Sequence, residues 1–155
     1  NISVESSVGN GATFIVQIPI SPKEEAVVEK VHRPVDIQTV LLIDDDVYLL
    51  ELLSEMLHSY QCYTASNIVE GQRLLEEYSP DIIVCDIVMS TGGGRELYRA
   101  LVNQDNEMYK RIIFITGGTV DTSMQVFLEE HNQPVIYKPF RLQDINQAFT
   151  QLHRG

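Results

Sequence analysis

The sequence predicts an α/β fold in which a doubly wound, five-stranded parallel sheet is covered by helices on both faces. Short apolar runs such as residues 40–43 and 82–85 lack polar alternation and are typical of strands buried on both faces. Each run is followed by apolar residues at helical spacing. This strand-then-helix order recurs five times from residue 38 onward, and such alternation is typical of a parallel sheet.

The predicted elements have clear limits in the sequence. The five strands lie at residues 40–43, 62–65, 81–86, 111–116 and 134–137. The first helix has its apolar stripe at Leu49, Leu52, Leu53, Met56 and Leu57. The second begins at a capping box formed by Asn67 and Glu70. The third and fourth span about residues 94–103 and 121–130, and the last carries Leu142, Ile145, Phe149 and Leu152.

The first 20 residues precede this regular pattern and predict a separate β-hairpin. Residues 2–6 and 12–19 alternate apolar and polar side chains, with glycines at positions 9 and 11 between them. Residues 21–37 are charged and contain two prolines, which is typical of an interdomain linker. We therefore divide the chain into a hairpin at 1–20, a linker at 21–37 and a main domain at 38–155.

Composition limits the classes of protein to which the chain can belong. Its 155 residues allow one full domain, and 44% hydrophobic residues suffice for a core. The net charge of −11 argues against direct nucleic-acid binding, which needs a basic surface. Cys62 and Cys85 lie in apolar strand-like stretches and are expected to be reduced core thiols. Because the sequence shows no membrane-length apolar run and no signal-peptide pattern, we expect a cytoplasmic setting.

Four of the predicted strands end at chemically reactive side chains, which are Asp44 with Asp45, Asp86, Thr116 and Lys138. Because parallel sheets bind ligands at the carboxyl ends of their strands, these groups are expected to meet at one edge. Carboxylates held close together repel one another, and a lysine and a small hard cation relieve that repulsion, which points to Mg²⁺. Such a site suits phosphoryl transfer with an aspartate as nucleophile. Asp46 is expected to cap the first helix instead.

These residues, in this order and followed by Pro139 and Phe140, resemble the receiver domain of two-component response regulators over residues 38–153. The resemblance implies a flavodoxin-like sheet with the strand order 2-1-3-4-5. It implies that Asp86 is the phosphoacceptor, that Thr116 and Lys138 bind phosphoryl oxygens, and that the Lys138–Pro139 bond is cis. The implied Mg²⁺ ligands are the carboxylates of Asp44, Asp45 and Asp86 and the backbone carbonyl of Val88.

The sequence departs from the receiver pattern close to the site. The family usually has proline after the position of Met89 and ends that loop in Asp-Gly, whereas residues 90–94 here read Ser-Thr-Gly-Gly-Gly. The glycine run predicts a more mobile loop. Val135 stands where the family often has an aromatic residue that responds to phosphorylation. The usual aromatic side chain for that response is therefore missing here.

Gly9, Gly11 and Thr13 belong to a stretch that resembles the last glycine box of sensor histidine kinase ATP-binding domains. The resemblance implies a loop whose N–H groups approach nucleotide phosphates, although a plain hairpin turn explains the same residues. The resemblances imply that the chain is the C-terminal part of a hybrid sensor kinase, because they place a kinase tail, a linker and a receiver in this order. That parent kinase could be membrane-associated. The other nucleotide-binding boxes are missing, so only Mg-dependent self-phosphorylation and dephosphorylation are expected of this chain.

Partner surfaces are expected beside the site. Val47 and Leu50 fall off the predicted stripe of the first helix, where exposed apolar residues suit docking of a phosphodonor helix; flanking the core explains them equally well. The implied partners are the phosphohistidine donor of a kinase dimerisation domain and a histidine phosphotransfer protein. The hairpin could also join copies of the chain into a homo-oligomer.

Two other functions fit parts of the pattern. In a haloacid-dehalogenase-like phosphatase, Asp44 would be the nucleophile of an Asp-x-Asp motif, and Thr116 and Lys138 would belong to later motifs. That class needs an acidic pair after the lysine, where only Asp144 stands, and it leaves Asp86 without a role. The other alternative is a receiver used only for docking or autoinhibition, with phosphorylation incidental.

Overall fold

The computed structural model of the protein describes residues 1–7, 9, 11–17, 37–90, 92–118 and 122–153. The chain divides into two compact units, Asn1–Lys30 and Val31–Gly155, which we describe separately. The predicted linker at residues 21–37 lies outside the described residues except for Ile37, so its limits stay a prediction. In the described part of the chain, no helix has both the length and the apolar character needed to cross a membrane.

The first unit contains the predicted hairpin. Strand β1 (Ile2–Ser7) pairs antiparallel with β2 (Gly11–Val16). Ile2 faces Val16 and Val4 faces Phe14 across the strands, so these four apolar side chains share one face, and all four are exposed. Two-stranded hairpins are marginally stable alone in water. The nucleotide-binding role of Gly9, Gly11 and Thr13 stays a prediction.

The second unit is a five-stranded parallel sheet with a helix after each strand. Its strands are β3 (Thr39–Ile43), β4 (Gln61–Ala65), β5 (Ile82–Asp86), β6 (Ile112–Thr116) and β7 (Val135–Tyr137). Its α-helices are α1 (Val47–Met56), α2 (Ile68–Tyr78), α3 (Gly94–Asn103), α4 (Thr122–His131) and α5 (Leu142–His153). A short 3₁₀ helix at Glu107–Arg111 precedes β6. The strand order β4-β3-β5-β6-β7 confirms the predicted order 2-1-3-4-5.

The sheet has a separate apolar core on each face, as a doubly wound fold requires. In β3, Leu41 and Ile43 join one buried cluster, whereas Val40 and Leu42 join the other. The first cluster includes side chains of α2, α3 and α4, and the second includes side chains of α1 and α5. Both cysteines are free thiols, as predicted, and Cys85 is fully buried.

Helix α1 is rotated relative to the prediction. Leu50 is 5% exposed and packs with Leu53 and Leu57 in the core, so its predicted place on a docking surface is wrong. Leu52, predicted to be buried, is 50% exposed. Because residues three and four apart share a helix face, burial of the Leu50–Leu53–Leu57 set turns Leu52 outward. Val47 is 56% exposed, as predicted.

Side-chain caps fix where the first two helices begin. Asp46 Oδ1 accepts hydrogen bonds from the N–H groups of Tyr48 (3.0 Å) and Leu49 (3.3 Å), which confirms its predicted role as the α1 cap. Asn67 Oδ1 accepts from the Glu70 N–H at 2.9 Å at the start of α2. The Glu70 carboxylate reaches back to the Ser66 N–H at 3.0 Å, one residue before the cap of an ordinary capping box.

Asp81 ties the start of β3 to the start of β5. Its Oδ2 accepts from the N–H groups of Gln38 and Thr39, both at 2.9 Å, and from the Thr39 hydroxyl at 2.8 Å. Burial raises the pKa of the Asp81 carboxyl, but these hydrogen bonds outweigh burial and hold the pKa below its usual value. The bonded carboxylate therefore stabilises the folded state only while it is ionised.

We expect Asp81→Ala to lower the free energy of unfolding by about 1–2 kcal/mol at pH 7, because it leaves three donors without their acceptor. The folded pKa is depressed, so the stabilisation is complete above the unfolded-state pKa of about 3.9 and is lost as pH falls through the folded value. Urea unfolding of the unaltered chain and of Asp81→Ala from pH 7 to pH 3 tests this, because the difference between their free energies of unfolding should shrink as the pH falls. Glu76→Ala, on the exposed side of α2, is the control. If the difference in the free energy of unfolding between the unaltered chain and Asp81→Ala stays constant with pH, the prediction is contradicted.

Candidate functional site

The reactive side chains predicted at the strand ends lie at one edge of the sheet. Asp86 and Thr116 are the last residues of β5 and β6, and Asp44 and Lys138 immediately follow β3 and β7. The four strands are parallel and hydrogen-bonded in register, so their carboxyl ends converge. The structure thus brings together the residues that the sequence singled out.

Lys138 connects the two buried aspartates of this edge. Its Nζ donates to Asp44 Oδ2 at 3.0 Å and to Asp86 Oδ2 at 3.1 Å, and its backbone N–H donates to the Thr116 carbonyl at 2.7 Å. Burial lowers the pKa of the Lys138 ammonium, but the hydrogen bonds and charges of the two carboxylates outweigh burial and raise it. Lys138 is therefore a fixed cation between Asp44 and Asp86.

Asp86 is buried at the end of β5. Burial raises the pKa of its carboxyl, and the neighbouring Asp44 adds to that rise. The Lys138 ammonium and the Val88 N–H, 3.4 Å from Asp86 Oδ1, pull the pKa down but do not cancel the rise. A carboxylate in such surroundings is poorly solvated, which suits a nucleophile or a cation ligand better than a surface charge.

Asp45 is exposed and is held differently. Its Oδ2 accepts from the Ser90 N–H at 2.9 Å. Hydrogen bonding by Ser90 lowers the pKa of the Asp45 carboxyl, so the group stays ionised. Sequence reasoning missed this role of Ser90. The available signal was that serine keeps the N–H that the usual proline of this position lacks.

The three carboxylates form a set that could hold a metal ion. Ligand oxygens of Asp44, Asp45 and Asp86 all lie within 4.8 Å of one another. Three ionised carboxylates and one lysine leave a charge of −2 (three negative, one positive), which a divalent cation neutralises. An all-oxygen set fits a hard ion such as Mg²⁺. The carbonyl of Val88, two residues beyond Asp86, stays a predicted ligand.

The remaining predicted residues lie on β6 and β7 or directly after β7. Thr116 is buried at the end of β6, and its contact with a phosphoryl oxygen stays a prediction. The Lys138–Pro139 bond is cis, as expected. Val135 is partly buried and packs against the core cluster that contains Phe114 and Phe127, so at this position an aliphatic side chain takes the place of an aromatic one.

The glycines after Met89 serve close packing. A Cβ atom on Gly93 would overlap the Ile87 carbonyl oxygen, and one on Gly94 would lie 2.7 Å from the Phe114 ring. The Gly93 N–H also donates to Glu96 Oε2 at 2.8 Å, which fixes the start of α3. The glycines therefore let the loop return close to β5, a requirement that the sequence alone did not reveal. The predicted mobility of this loop stays a prediction.

Comparison with known proteins adds a family to this geometry. A model of the response regulator receiver domain matches residues 40–150, which is more than half of the chain. The chain belongs to this family. The receiver fold and a place in two-component signalling follow from that membership.

Individual relatives resemble different portions of the chain. The probable C4-dicarboxylate response regulator DctR of Bacillus subtilis is 27% identical over 113 residues, which cover 70% of this chain and 49% of that protein. The autoinducer 2 sensor kinase/phosphatase LuxQ of Vibrio parahaemolyticus is 24% identical over 159 residues, which cover 96% of this chain and 18% of that protein. The chain thus spans half or less of the length of both curated relatives.

A solved structure shows the same fold. The response regulator receiver domain protein from Clostridium thermocellum matches with a TM-score of 0.67 at 24% identity, covering 76% of this chain and 95% of that one. At this identity the likeness concerns the fold, and the chemistry must be argued from the residues of the site.

Proposed function

We propose that this chain is a phosphorelay receiver, which accepts a phosphoryl group from a phosphohistidine onto Asp86 in a Mg²⁺-dependent reaction. The observation that carries the proposal is the bridge from Lys138 to Asp44 and Asp86 inside a cluster of three carboxylates. This arrangement offers a nucleophile, oxygen ligands for a cation, and a fixed positive charge within one small volume. Phosphoryl transfer needs these three things together.

The proposed transfer forms one bond and breaks one. An oxygen of ionised Asp86 bonds to the phosphorus, and the bond between phosphorus and the donor nitrogen breaks with its electron pair leaving on the imidazole. Lys138 and the Thr116 hydroxyl bind oxygens of the transferred group and offset their charge. Bound Mg²⁺, held by Asp44, Asp45, Asp86 and the Val88 carbonyl, would neutralise further negative charge during the transfer. The acyl phosphate then passes to another histidine or is hydrolysed by water.

We further propose that the chain is the C-terminal part of a hybrid sensor kinase in the cytoplasm. The LuxQ match leaves only about 6 residues of this chain unmatched (4% of 155), so it extends into the hairpin strands. The DctR match covers 70% of the chain, close to the share taken by residues 40–150. The hairpin would then complete an ATP-binding domain upstream, and the partners would be a phosphohistidine donor and a histidine phosphotransfer protein.

The exposed face of α1 is the proposed docking surface for those partners. Leu50 is buried and is left out of this surface, whereas Val47, Tyr48 and Leu52 of the same helix are exposed and support the proposal. Asp46, the cap of α1, lies directly after the metal-ligand candidates Asp44 and Asp45, so this surface begins next to the site. Exposed apolar residues in that place suit an apolar helix stripe on the partner.

Phosphorylation with a small phosphoramidate tests the proposed chemistry. The chain is incubated with the donor in Mg²⁺ and, separately, in EDTA, and the products are followed by Phos-tag electrophoresis and intact mass. We expect one phosphoryl group per chain in Mg²⁺ and none in EDTA, with peptide mapping after borohydride reduction placing it on Asp86. Metal-independent modification, or mapping to any other residue, would contradict the proposal.

The hybrid-kinase context has its own test. The full-length protein should contain a phosphoacceptor histidine and an asparagine box before the hairpin. A full-length sequence without them would leave the receiver chemistry intact but would remove the kinase context.

Replacing Lys138 should lower the rate of phosphorylation but raise the affinity for Mg²⁺. We expect Lys138→Met to slow phosphorylation by about 10²–10³-fold, because the phosphoryl oxygens lose a fixed cation. The same change takes the charge of the site from −2 to −3, so Mg²⁺ should bind more tightly. Stopped-flow phosphorylation measures the first property and calorimetric Mg²⁺ titration the second.

Lys110→Met is the matched control, since Lys110 lies in the 3₁₀ helix before β6, at the opposite end of that strand from Thr116. It should change neither property. Weaker Mg²⁺ binding in Lys138→Met would show that the lysine organises the carboxylates rather than competing with the cation for them.

A further inference from the structure

We infer that Ser90 is a positioning residue, which holds the Asp45 carboxylate ready for the cation of the site. The inference rests on the proposed function, because it concerns the same carboxylate cluster. Ser90 is four residues beyond Asp86 in the loop that leads to α3, and no motif of the sequence assigned it a role. Its backbone N–H reaches back across the site to Asp45 in the loop after β3.

The three carboxylates of the cluster are not held in the same way. Asp44 and Asp86 are buried and share the Lys138 ammonium, at 3.0 and 3.1 Å. Asp45 is exposed and has no such direct lysine contact among the hydrogen bonds of the described residues. An exposed aspartate samples several rotamers in water, and fixing it on a cation costs conformational entropy. A fixed donor removes part of that cost before the cation arrives.

Ser90 supplies such a donor through its backbone. Its N–H donates to Asp45 Oδ2 at 2.9 Å. A carboxylate has about four acceptor positions, so this bond leaves acceptor capacity on Asp45 for a metal ion. Hydrogen bonds of this kind orient metal ligands, and removing them typically weakens metal binding by about 10–100-fold.

The position of Ser90 gives this contact a second consequence. The loop from Asp86 to α3 carries the proposed phosphoacceptor at one end and the donor to Asp45 near its middle. The Gly93 N–H bond to Glu96 holds the far end of the same loop at α3. Through Ser90, Asp45 is therefore tied to the loop that leads from Asp86 to α3.

Calorimetric titration of the whole chain with Mg²⁺ tests the inference. Ser90→Pro removes the N–H that donates to Asp45 and should raise the dissociation constant by about tenfold or more. Ser90→Ala keeps this N–H and should raise the dissociation constant by no more than about threefold. The same pair of changes on an Asp45→Ala background, which removes the acceptor, completes a double-mutant cycle in which Ser90→Pro should have little further effect.

Three outcomes overturn the inference. An unchanged Mg²⁺ affinity in Ser90→Pro shows that the contact does not matter. An equal loss on the Asp45→Ala background shows that proline acts through the loop and not through Asp45. If Ser90→Pro does not fold, hydrogen exchange of the Ser90 amide replaces it. Asp45→Ala removes the acceptor and should speed that exchange, and an unchanged rate overturns the inference.

The same set of measurements separates this inference from the proposed function. If the unaltered chain binds no Mg²⁺, the proposed function fails while the exchange experiment still reports on the Asp45–Ser90 contact. If the chain binds Mg²⁺ and is phosphorylated on Asp86, but Ser90→Pro binds Mg²⁺ normally, only the role of Ser90 is wrong.

Discussion

Replacing Asp86 with asparagine is expected to abolish phosphorylation of this chain, with a rate at least about 10³-fold below that of the unaltered protein. Asparagine has nearly the same shape and can still accept a hydrogen bond from Lys138, so the fold and the strand-end geometry should survive. Its amide nitrogen and oxygen are poor nucleophiles towards phosphorus. The loss therefore reports on chemistry rather than on folding.

Asp46→Asn is the matched control for this experiment. Asp46 belongs to the same acidic stretch as Asp44 and Asp45, but it caps α1 through its Oδ1, and asparagine caps helices about as well. Phosphorylation of the control by a phosphoramidate should equal that of the unaltered chain. If Asp86→Asn is phosphorylated at a comparable rate, Asp86 is not the phosphoacceptor.

The phosphatase alternative makes a different prediction about whether Mg²⁺ can rescue a change at Asp44. In that reading Asp44→Asn removes the nucleophile, whereas in a receiver it weakens cation binding, and higher Mg²⁺ should restore part of the phosphorylation. The structure does not favour the phosphatase, because the acid that it would need beyond the lysine is already engaged. Asp144 Oδ2 accepts from the Arg141 N–H at 2.7 Å at the start of α5.

The sheet and its reactive edge could be predicted from the sequence because both depend on local patterns. A strand buried on both faces needs an unbroken apolar run, and β3, β5 and β6 all have one. Parallel topology then places the residue after each run at the same edge, whichever way the helices pack. The positions of Asp44, Asp86 and Lys138 follow from that rule.

The features that the prediction missed depend on how elements meet in space. Whether Leu50 or Leu52 faces the core depends on the rotation of α1 against the sheet, and an apolar helix with leucines on several sides does not specify it. The contact of Ser90 with Asp45 joins residues 45 positions apart along the chain. The path of the loop after Met89 decides that contact, and no periodicity in the sequence records this path.

Gly93→Ala should destabilise the protein by about 3 kcal/mol or more and should disturb the site as well. The backbone of Gly93 is extended, with φ −142°, so conformational preference does not demand glycine there. Glycine is required there because of the limited space: an added Cβ would overlap the Ile87 carbonyl oxygen and lie 2.7 Å from the Ile87 carbonyl carbon. The obstacle is backbone next to the phosphoacceptor candidate Asp86, and backbone cannot move aside as a flexible side chain can.

The clash between the added Cβ and the Ile87 backbone must be relieved by a movement of either β5 or the loop that carries Ser90. Either movement displaces Asp86 or loosens Asp45, so phosphorylation by a phosphoramidate should slow along with the loss of stability. Urea unfolding measures the stability, and Gly118→Ala is the control because a Cβ there meets no atom within 4 Å. The control should stay within about 0.5 kcal/mol of the unaltered chain. If Gly93→Ala matches the control in both measurements, the loop can shift without disturbing the site, and the glycines after Met89 are not required for close packing.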